Sequence, residues 1–401
     1  MRYRHMHRSF VEQQSRCVLH SQEQMLAVYE AMCANLVRTN HAVAFAYARH
    51  GLIAVLVAAG LREGDEVVLS PLTCKVVPLA LLSLHLKPVY VDISTGGLNL
   101  DPQRFTSRIG SATRAVLFQH TYGSPVGVEA VSRISEQKHI MMIEDCAQCL
   151  PYAGDGRPSG SWGKAAIFSN NLLKPLPAGS GGIAVTKDNE LARQIRRARS
   201  ELSPRGPLRE LMLRAEVWFH RFVLRPAIYW PLFRLNAKFD QSYQTRSVDV
   251  EIAHEITTKA HVVSGFQMRE GTRWLDRVAT IAQHRRLCCV EYRNALSGIK
   301  DLDLPAAGTS QPLYYFPVFV RNKERLLEEA RKKNVEIIPW PKKTPIYPVE
   351  CERDLLRYGY EPGTCPVAER AAATLVGLPT HEKITNEHRK RIIDLLRSMG
   401  N

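Results

Sequence analysis

The feature that most constrains the fold is an alternation of short apolar runs with helical patterns between about residues 40 and 187. Apolar runs next to Gly, Pro, Asp or Ser are typical of strands in a mainly parallel sheet, and the patterns between them are typical of crossover helices. The sequence therefore predicts an α/β domain whose parallel central sheet is flanked by helices. Its expected strands are 67–69, 88–93, 115–119, 140–144, 165–169 and 182–186, with helices such as 51–59 and 128–137.

Beyond about residue 255 the pattern changes to long helices mixed with a few apolar runs. This mixture is typical of a smaller α+β domain, and a chain of 401 residues is long enough for two domains. The expected elements are helices over 268–296 and 323–333, an apolar run over 313–320 and a strand-like segment over 335–338. We therefore predict an N-terminal arm (1–22), a large domain (23–255) and a small C-terminal domain (256–401).

Residues 205–245 look like an insertion in which aromatic and arginine side chains are interleaved. One hypothesis is an amphipathic arm or lid that covers a partner subunit. The other is an interfacial helix on an anionic membrane, because such helices combine an apolar face with basic residues. Pro226 and Pro231 interrupt the helical pattern and favour the arm over membrane-surface contact.

Composition narrows the class of protein without naming a function. Hydrophobic residues at 45% and charged residues at 23% are ordinary for a soluble globular chain. The net charge of +15 would attract anionic small molecules, nucleic acid or membranes, but no nucleic-acid motif accompanies it. Nine cysteines without regular spacing indicate reduced thiols. Because no nucleic-acid motif is present, we expect no nucleic-acid partner. Because no apolar run suits a signal peptide or a membrane span, we also expect a cytoplasmic protein.

A carboxylate follows the apolar run at 140–144. In the sequence Ile-Glu-Asp-Cys-Ala-Gln (143–148), Asp145 would lie at the carboxyl end of a strand, where open α/β sheets bind their ligands. A carboxylate there could bind magnesium, cap a helix or pair with the ring nitrogen of a cofactor. The neighbouring Cys146 and Cys149 lack a second cysteine pair for zinc, so we interpret them as apolar packing residues.

A single lysine follows the next strand. Ser169 is placed at the strand end, and Lys174 precedes the sequence Gly-Ser-Gly-Gly (179–182). A lysine in a loop is usually solvated, but in a shielded pocket its free amine can form a Schiff base with an aldehyde. The glycines lack the Gly-Lys-Ser/Thr ending of a phosphate-binding P-loop, so they are expected to form a tight turn.

Together the two segments resemble the StrS/DegT family of sugar aminotransferases, which are pyridoxal-phosphate (PLP) enzymes of the aspartate-aminotransferase fold, PLP fold type I. The family's pattern is Ile-Glu-Asp-x-Ala-Gln, then Ser, Lys and a Gly-x-Gly-Gly turn, in the order found here. The resemblance covers nearly the whole chain from about residue 22. It includes Gly-Asp-Glu-Val (64–67), Val-Asp-Ile (91–93), His-Thr-Tyr-Gly (120–123) and Leu-Pro-Thr-His (378–381).

The resemblance implies a role for each matching residue. Lys174 would form the Schiff base with PLP, and Asp145 would pair with the pyridine nitrogen. Gln148 would contact the ring's 3-oxygen, and Ser169 would bind the phosphate. An ionised Asp145 would keep the ring nitrogen protonated, so that the ring can accept electrons from the α-carbon of an amino acid. The released Lys174 amine would then carry the proton.

Several positions depart from the family's pattern. Its Ser-Gly-Thr phosphate turn aligns with the residues around Ala48 and Arg49, so these are expected to bind the phosphate. Arg49 would do so by a charge-assisted contact at a helix N-terminus. Cys74 stands where the family stacks an aromatic residue on the cofactor. The Asn and Arg that the family supplies from the neighbouring subunit are also missing, and Gln267 or Lys259 could replace them.

The resemblance implies a transamination in two halves. An amino acid, glutamate in the family, gives its amino group to the cofactor on Lys174, and a keto sugar that is often nucleotide-linked then receives it. His120, Tyr122 and Trp340 are expected near the substrate. We expect a homodimer and no metal ion. One alternative is a PLP-dependent sugar dehydratase, although that branch replaces the lysine by histidine. The lost aromatic residue leaves a non-catalytic PLP- or sugar-binding regulatory protein as a second alternative.

Overall fold

The computed structural model describes residues 21–152, 156–222, 261–305 and 311–399. Its first half contains eight short strands, and most of their residues are buried. They are β1 (His41–Phe45), β2 (Glu66–Leu69), β3 (Thr73–Cys74), β4 (Lys87–Tyr90), β5 (Thr113–Gln119), β6 (Met141–Asp145), β7 (Ala165–Ser169) and β8 (Gly182–Thr186).

All of these strands except β3 form one sheet in the order β1-β8-β7-β6-β5-β2-β4. The strands from β4 to β7 are parallel, and β8 is antiparallel to both β7 and β1. The mostly parallel sheet confirms the predicted α/β class. Each predicted strand is present with only its ends shifted, whereas β1 was not among the predicted strands.

Helices pack on both faces of this sheet, which explains the continuous apolar runs. In β5, Ala115 and Leu117 join the core on one face, while Val116 and Phe118 join the core on the other. The helices are α1 (Gln22–Val37), α2 (Ala48–Ala58), α3 (Val76–Leu82), α4 (Pro102–Arg108), α5 (Val128–Gln137), α6 (Asn189–Ser200) and α7 (Pro207–Phe222).

The C-terminal part forms a smaller α+β unit around a three-stranded antiparallel sheet. Helix α8 (Gly265–Leu275) still packs in the core of the larger unit, through Met268 and Leu275. The helices of the smaller unit are α9 (Val278–Leu296), α10 (Lys323–Lys332), α11 (Pro366–Thr374) and α12 (Asn386–Met399). Its strands are β9 (Leu302–Asp303), β10 (Tyr315–Val320), β11 (Ile346–Tyr347) and β12 (Leu375–Pro379). The helical stretches predicted over 268–296 are present as two helices, α8 and α9. The strand predicted over 335–338 was wrong, because that segment contributes only an isolated bridge at Ile338.

The predicted boundary between residues 255 and 256 lies outside the described residues, as does most of the arm predicted over 1–22. Packing changes later, within α9. Val278 and Ile281, at its start, belong to the core of the first unit, whereas Cys289 and Tyr292 belong to the core of the second. Of the insertion predicted over 205–245, the described part is α7. No described helix is long and apolar enough to cross a membrane.

One contact brings the smaller unit to the carboxyl edge of the main sheet. β11 pairs with β3 in parallel, so that Tyr347 lies opposite Cys74, and the Lys75 amide donates to the Tyr347 carbonyl at 2.8 Å. Cys74 is the residue that replaces the expected stacking aromatic. The position is therefore covered by backbone from the smaller unit.

Candidate active site at the carboxyl edge of the sheet

The carboxyl ends of β5, β6 and β7 place three of the predicted residues side by side. Asp145 and Ser169 are the last residues of β6 and β7, and His120 directly follows β5. The His120 amide donates to the Asp145 carbonyl at 3.1 Å, which fixes the two strand ends in register. Because β8 runs in the opposite direction, its first residue, Gly182, lies at the same edge.

Asp145 is buried, with 8% of its surface exposed. Its Oδ1 accepts a hydrogen bond from the Ala147 amide at 2.9 Å, and no second hydrogen bond to this carboxylate comes from the described part of the chain. Burial raises the pKa of Asp145, and the Ala147 amide and the positive charges of Lys174 and His120 oppose that rise. Lys174 and Asp145 therefore lie near enough to interact electrostatically.

The loop that carries Lys174 is held from both units. Within the larger unit, the Asn170 amide donates to the Gly181 carbonyl at 3.0 Å, so the two ends of the loop are paired. From the smaller unit, the Tyr314 hydroxyl donates to the carbonyl of Leu173. The residue before Lys174 is therefore fixed by a hydrogen bond that crosses between the units.

The turn after Lys174 packs directly against the first turn of α2. A Cβ atom on Gly182 would lie 2.3 Å from the Ala48 Cα atom, a distance that no side chain tolerates. Gly181 has a φ of +152° and would place a Cβ atom 3.1 Å from the Asn170 side chain. Glycine is required here so that the lysine loop can approach the helix, and this fixes the position of Ala48.

Two arginines lie around the start of α2. Tyr47 is the N-cap residue, and its side chain gives no hydrogen bond to the helix amides. The guanidinium carbon of Arg49 lies 4.5 Å from the centroid of the Tyr47 ring, and that of Arg205 lies 5.3 Å from it. Arg205 also donates to Ser180 Oγ at 3.4 Å. A helix N-terminus between two guanidinium groups favours an anion.

His50, in the same turn, shows that this region is electropositive. Both of its ring nitrogens are buried and have no hydrogen-bond partner among the described residues. Burial lowers the pKa of His50 to about 3, helped by the charges of Arg49, His261 and Arg205. Neither His50 nor Arg205 was among the predicted site residues. Arg205 reaches this turn from a distant part of the chain, and no local sequence pattern indicates that contact.

Gln148 and Tyr122 are coupled by a hydrogen bond. Gln148 Oε1 accepts from the Tyr122 amide at 2.7 Å, which leaves the NH₂ group of Gln148 to donate elsewhere. Tyr122 has a φ of 56°, in the left-handed region, and its hydroxyl donates to the Trp340 carbonyl. The rings of Tyr122 and Trp340 are 5.4 Å apart. The structure thus brings these two predicted substrate residues together.

His120 lies deeper than the other predicted residues, with 0% of its surface exposed. Its Nε2 lies 2.8 Å from Glu144 Oε2. Burial would lower the pKa of His120, but the negative charges of Cys149 and Glu144 outweigh this and raise it to about 9. In this position His120 touches no open space, so it would influence a substrate only through its neighbours.

His120, Glu144 and Cys146 offer ligand atoms within 4.8 Å of one another, as a metal site would. The Glu144 oxygens, however, already accept four hydrogen bonds, from His120 and from the amides of Gly160, Trp162 and Gly163. A carboxylate with both oxygens used in this way acts as a structural brace.

Gln267 was a sequence-based candidate to replace the residues missing from the neighbouring subunit. Its Nε2 donates to the Ala46 carbonyl at 3.1 Å and to the Ser180 carbonyl at 2.9 Å, and its Oε1 accepts from the Ser264 amide at 2.9 Å. Its side chain therefore braces its own chain beneath α2. Lys259, the other candidate, lies outside the described residues.

The fold and this edge of the sheet define a fold-type-I aminotransferase. The chain belongs to the DegT/DnrJ/EryC1/StrS aminotransferase family, whose profile matches residues 13–209 and 231–397. This match confirms the family and the enzyme class predicted from the two motifs.

Two relatives that match this chain over most of their length carry different names. The pleiotropic regulatory protein of Geobacillus stearothermophilus is 24% identical over 91% of this chain and 86% of its own length. The dTDP-3-amino-3,4,6-trideoxy-alpha-D-glucose transaminase of Micromonospora megalomicea subsp. nigra is 25% identical over 86% of this chain and 81% of its own. The second name agrees with the predicted sugar aminotransferase.

Solved structures confirm the predicted fold. DesV of S. venezuelae matches with a TM-score of 0.74 at 23% identity, over 98% of this chain and 93% of that one. The NtdA protein of Bacillus subtilis, solved with bound pyridoxamine phosphate (PMP), matches with a TM-score of 0.71 at 18% identity, over 94% of this chain and 77% of that one. The PMP in that neighbour agrees with the predicted cofactor class.

Proposed function

We propose that this protein is a PLP-dependent aminotransferase that moves an amino group from an amino acid, glutamate in the simplest case, to a keto sugar linked to a nucleotide. The observation that carries the proposal is that Lys174 lies near enough to the buried Asp145, at one edge of the sheet, for its positive charge to oppose the rise in the pKa of that acid. An amine and a buried acid so arranged suit the two ends of one pyridine aldehyde.

The surrounding residues fit the other parts of PLP. The N-terminus of α2, with Arg49 beside it and no side-chain cap, suits a phosphate group, and Ser169 adds a hydroxyl at the neighbouring strand end. Asp145 has an oxygen to offer to a ring N–H. The Gln148 amide retains a donor that suits a ring oxygen, because its carbonyl oxygen is used by Tyr122.

The chain's own residues then have distinct roles. PLP, when bound, supplies an electron sink for the α-carbon of the amino acid. Lys174 would attach the cofactor covalently and, when released, take the proton from the α-carbon and return it at the other end of the reacting system. Asp145 would hold the proton on the ring nitrogen. Burial, which raises the pKa of this acid, also strengthens its attraction to a positive ring.

The sugar substrate is supported by the relative named as a dTDP-sugar transaminase. A nucleotide diphosphate carries negative charge, and the chain's net charge of +15 favours such a ligand. Lys174 stands against the dehydratase alternative, whose branch of the family has histidine there. The relative named as a regulatory protein, together with Cys74 in place of an aromatic residue, supports a non-catalytic binding protein as the second candidate.

Covalent trapping tests the lysine. The protein would be incubated with PLP and reduced with borohydride, and its peptides would be analysed by mass spectrometry. We expect the pyridoxyl group on Lys174 and no stable adduct in Lys174→Ala. Lys164→Ala is the matched control, because Lys164 is half exposed and pairs with Asp188 at 3.3 Å. An adduct elsewhere, with Lys174 unmodified, contradicts the assignment.

Amino transfer separates the two candidates. Isotope-labelled glutamate would be added to the cofactor-loaded protein, and the label would be followed into PMP and then into a panel of keto sugars. Label in PMP and in an amino sugar supports the transferase. Cofactor bound without any label transfer favours the binding protein.

We also propose that the protein works as a cytoplasmic homodimer. The dimer is an expectation from the family, and the eight described cysteines, all of which are free, suit a reducing compartment. Light scattering of the purified protein would measure the mass in solution, and a monomer that still transfers amino groups contradicts the dimer.

A further inference from the structure

The outer face of α7 is apolar and exposed. Leu208, Leu211, Met212 and Phe219 are exposed to 69%, 63%, 63% and 37%, and Trp218, at the same end as Phe219, to 59%. Their spacing of three and four residues places them on one side of the helix. We call this surface the outer α7 face. Isolated exposed apolar residues are common, but a contiguous row of this kind marks an interaction surface.

The opposite side of α7 already anchors the helix to the protein. Leu213 is buried at 4% exposure, and Leu213 and Val217 pack so closely on Gly179 that a Cβ atom there would lie 3.0 and 2.6 Å from them. Glu210 Oε1 accepts from Ser264 Oγ at 3.1 Å. The outer α7 face is therefore not required to hold the helix in place.

Basic residues border the outer α7 face. Arg214 and Arg221 lie along one border, with 52% and 58% of their side chains exposed, and they pair with Glu210 at 3.4 Å and Glu270 at 3.8 Å. Arg209 and the exposed Glu216 lie along the other border. Within α7, three arginines and two glutamates, with no lysine or aspartate, give a net charge of +1. An apolar stripe between basic borders is complementary to a surface that is apolar below a layer of negative charge.

Most of this helix lies outside the segments that the family profile matches. The family match stops at residue 209 and resumes at residue 231, so most of α7 is outside it. The outer α7 face is therefore not among the features that the family profile describes.

Pro226 and Pro231, which favoured an arm in the sequence, both lie beyond the end of α7 and do not interrupt it. We propose that the outer α7 face binds the surface of an anionic phospholipid bilayer. The apolar side chains enter the boundary between headgroups and acyl chains, and the bordering arginines contact lipid phosphates. The helix lies in the plane of the surface and does not cross the bilayer. The protein is thereby a peripheral membrane protein whose enzyme fold stands on the lipid surface.

Vesicle flotation with the full-length protein tests this proposal. We expect the protein to float with phosphatidylcholine vesicles that contain about 30 mol% phosphatidylglycerol, and not with pure phosphatidylcholine. Salt at about 0.5 M should weaken the binding. Leu211→Glu combined with Met212→Glu should lower the bound fraction more than about tenfold, because two apolar side chains no longer enter the bilayer.

The matched control is Leu287→Glu combined with Leu356→Glu, which changes two leucines of similar exposure (61% and 62%) away from α7. This control should float like the unchanged protein, and circular dichroism should show the same fold for all variants. Absence of flotation with anionic vesicles overturns the proposal, as does equal flotation of both double variants. A change of oligomeric mass in Leu211→Glu, seen by light scattering without any lipid effect, assigns the face to a second copy and also overturns it.

Discussion

Replacing Glu144 by glutamine should destabilise the protein by about 1.5–6 kcal/mol. Glu144 Oε1 accepts from the amides of Trp162 and Gly163 at 2.6 and 2.7 Å, and Oε2 accepts from the Gly160 amide at 2.7 Å and from His120 at 2.8 Å. If the NH₂ group replaces Oε1, the Trp162 and Gly163 amides face a donor; if it replaces Oε2, the Gly160 amide does, while a neutral His120 ring can accept from the NH₂ group. Each hydrogen bond to a buried charge contributes about 1.5–3 kcal/mol, so the loss of one or two gives the stated range.

Urea unfolding followed by tryptophan fluorescence measures this change. A loss of that size is a large part of the total stability of about 5–15 kcal/mol that is typical of domains, so the midpoint should fall clearly. Glu129→Gln on α5 is the matched control: it removes a carboxylate that is 70% exposed and pairs with Arg133 at 3.6 Å, and should change stability by less than about 0.5 kcal/mol. A loss below about 1 kcal/mol in Glu144→Gln would refute the idea that this carboxylate braces the strand ends.

Three further changes are predicted. Burial would lower the pKa of His120, but the charges of Cys149 and Glu144 raise it to about 9. Protonated His120 therefore stabilises the fold fully below about pH 6.5, and this stabilisation is lost as the pH rises towards 9. In unfolding measured as a function of pH, His120→Gln should abolish that loss. Burial lowers the pKa of Lys323 to about 7, so stability should rise from about pH 7 to 10, and Lys323→Met should flatten that rise. Tyr314→Phe removes the hydrogen bond to the Leu173 carbonyl and should lower kcat about fivefold in steady-state assays, whereas an unchanged kcat would show that this bond does not position the lysine loop.

The main sheet was predictable because its parallel strands are buried on both faces, which forces apolar runs into the sequence. Strand β1 escaped prediction although Val43, Ala44 and Phe45 are almost wholly buried. Its five residues, with two alanines, give a weak signal, and its pairing partner β8 lies far along the chain. Pairing between distant segments leaves no local pattern.

The motif residues of the site were predictable for a related reason. Asp145 and Ser169 end strands whose apolar runs are visible in the sequence, so their positions follow from the strands. Arg49 of the positive region around α2 was predicted, but the contribution of Arg205 was not predictable, because Arg205 comes from a distant segment. Gln267 shows an intermediate case: the Ser264-x-x-Gln267 capping box is visible in the sequence, but the hydrogen bonds of Gln267 to Ala46 and Ser180 depend on the tertiary fold.

The smaller unit supports the lysine loop as well as closing the edge of the sheet. Three contacts connect it to residues around the site: β11 pairs beside Cys74, the Tyr122 hydroxyl donates to the Trp340 carbonyl, and the Tyr314 hydroxyl donates to the Leu173 carbonyl. In each of these contacts at least one partner is a backbone atom. The contact therefore does not depend on which side chain that residue carries. The replacement of the expected aromatic by Cys74 therefore leaves the scaffold of the site intact, and its effect should fall on cofactor affinity rather than on folding.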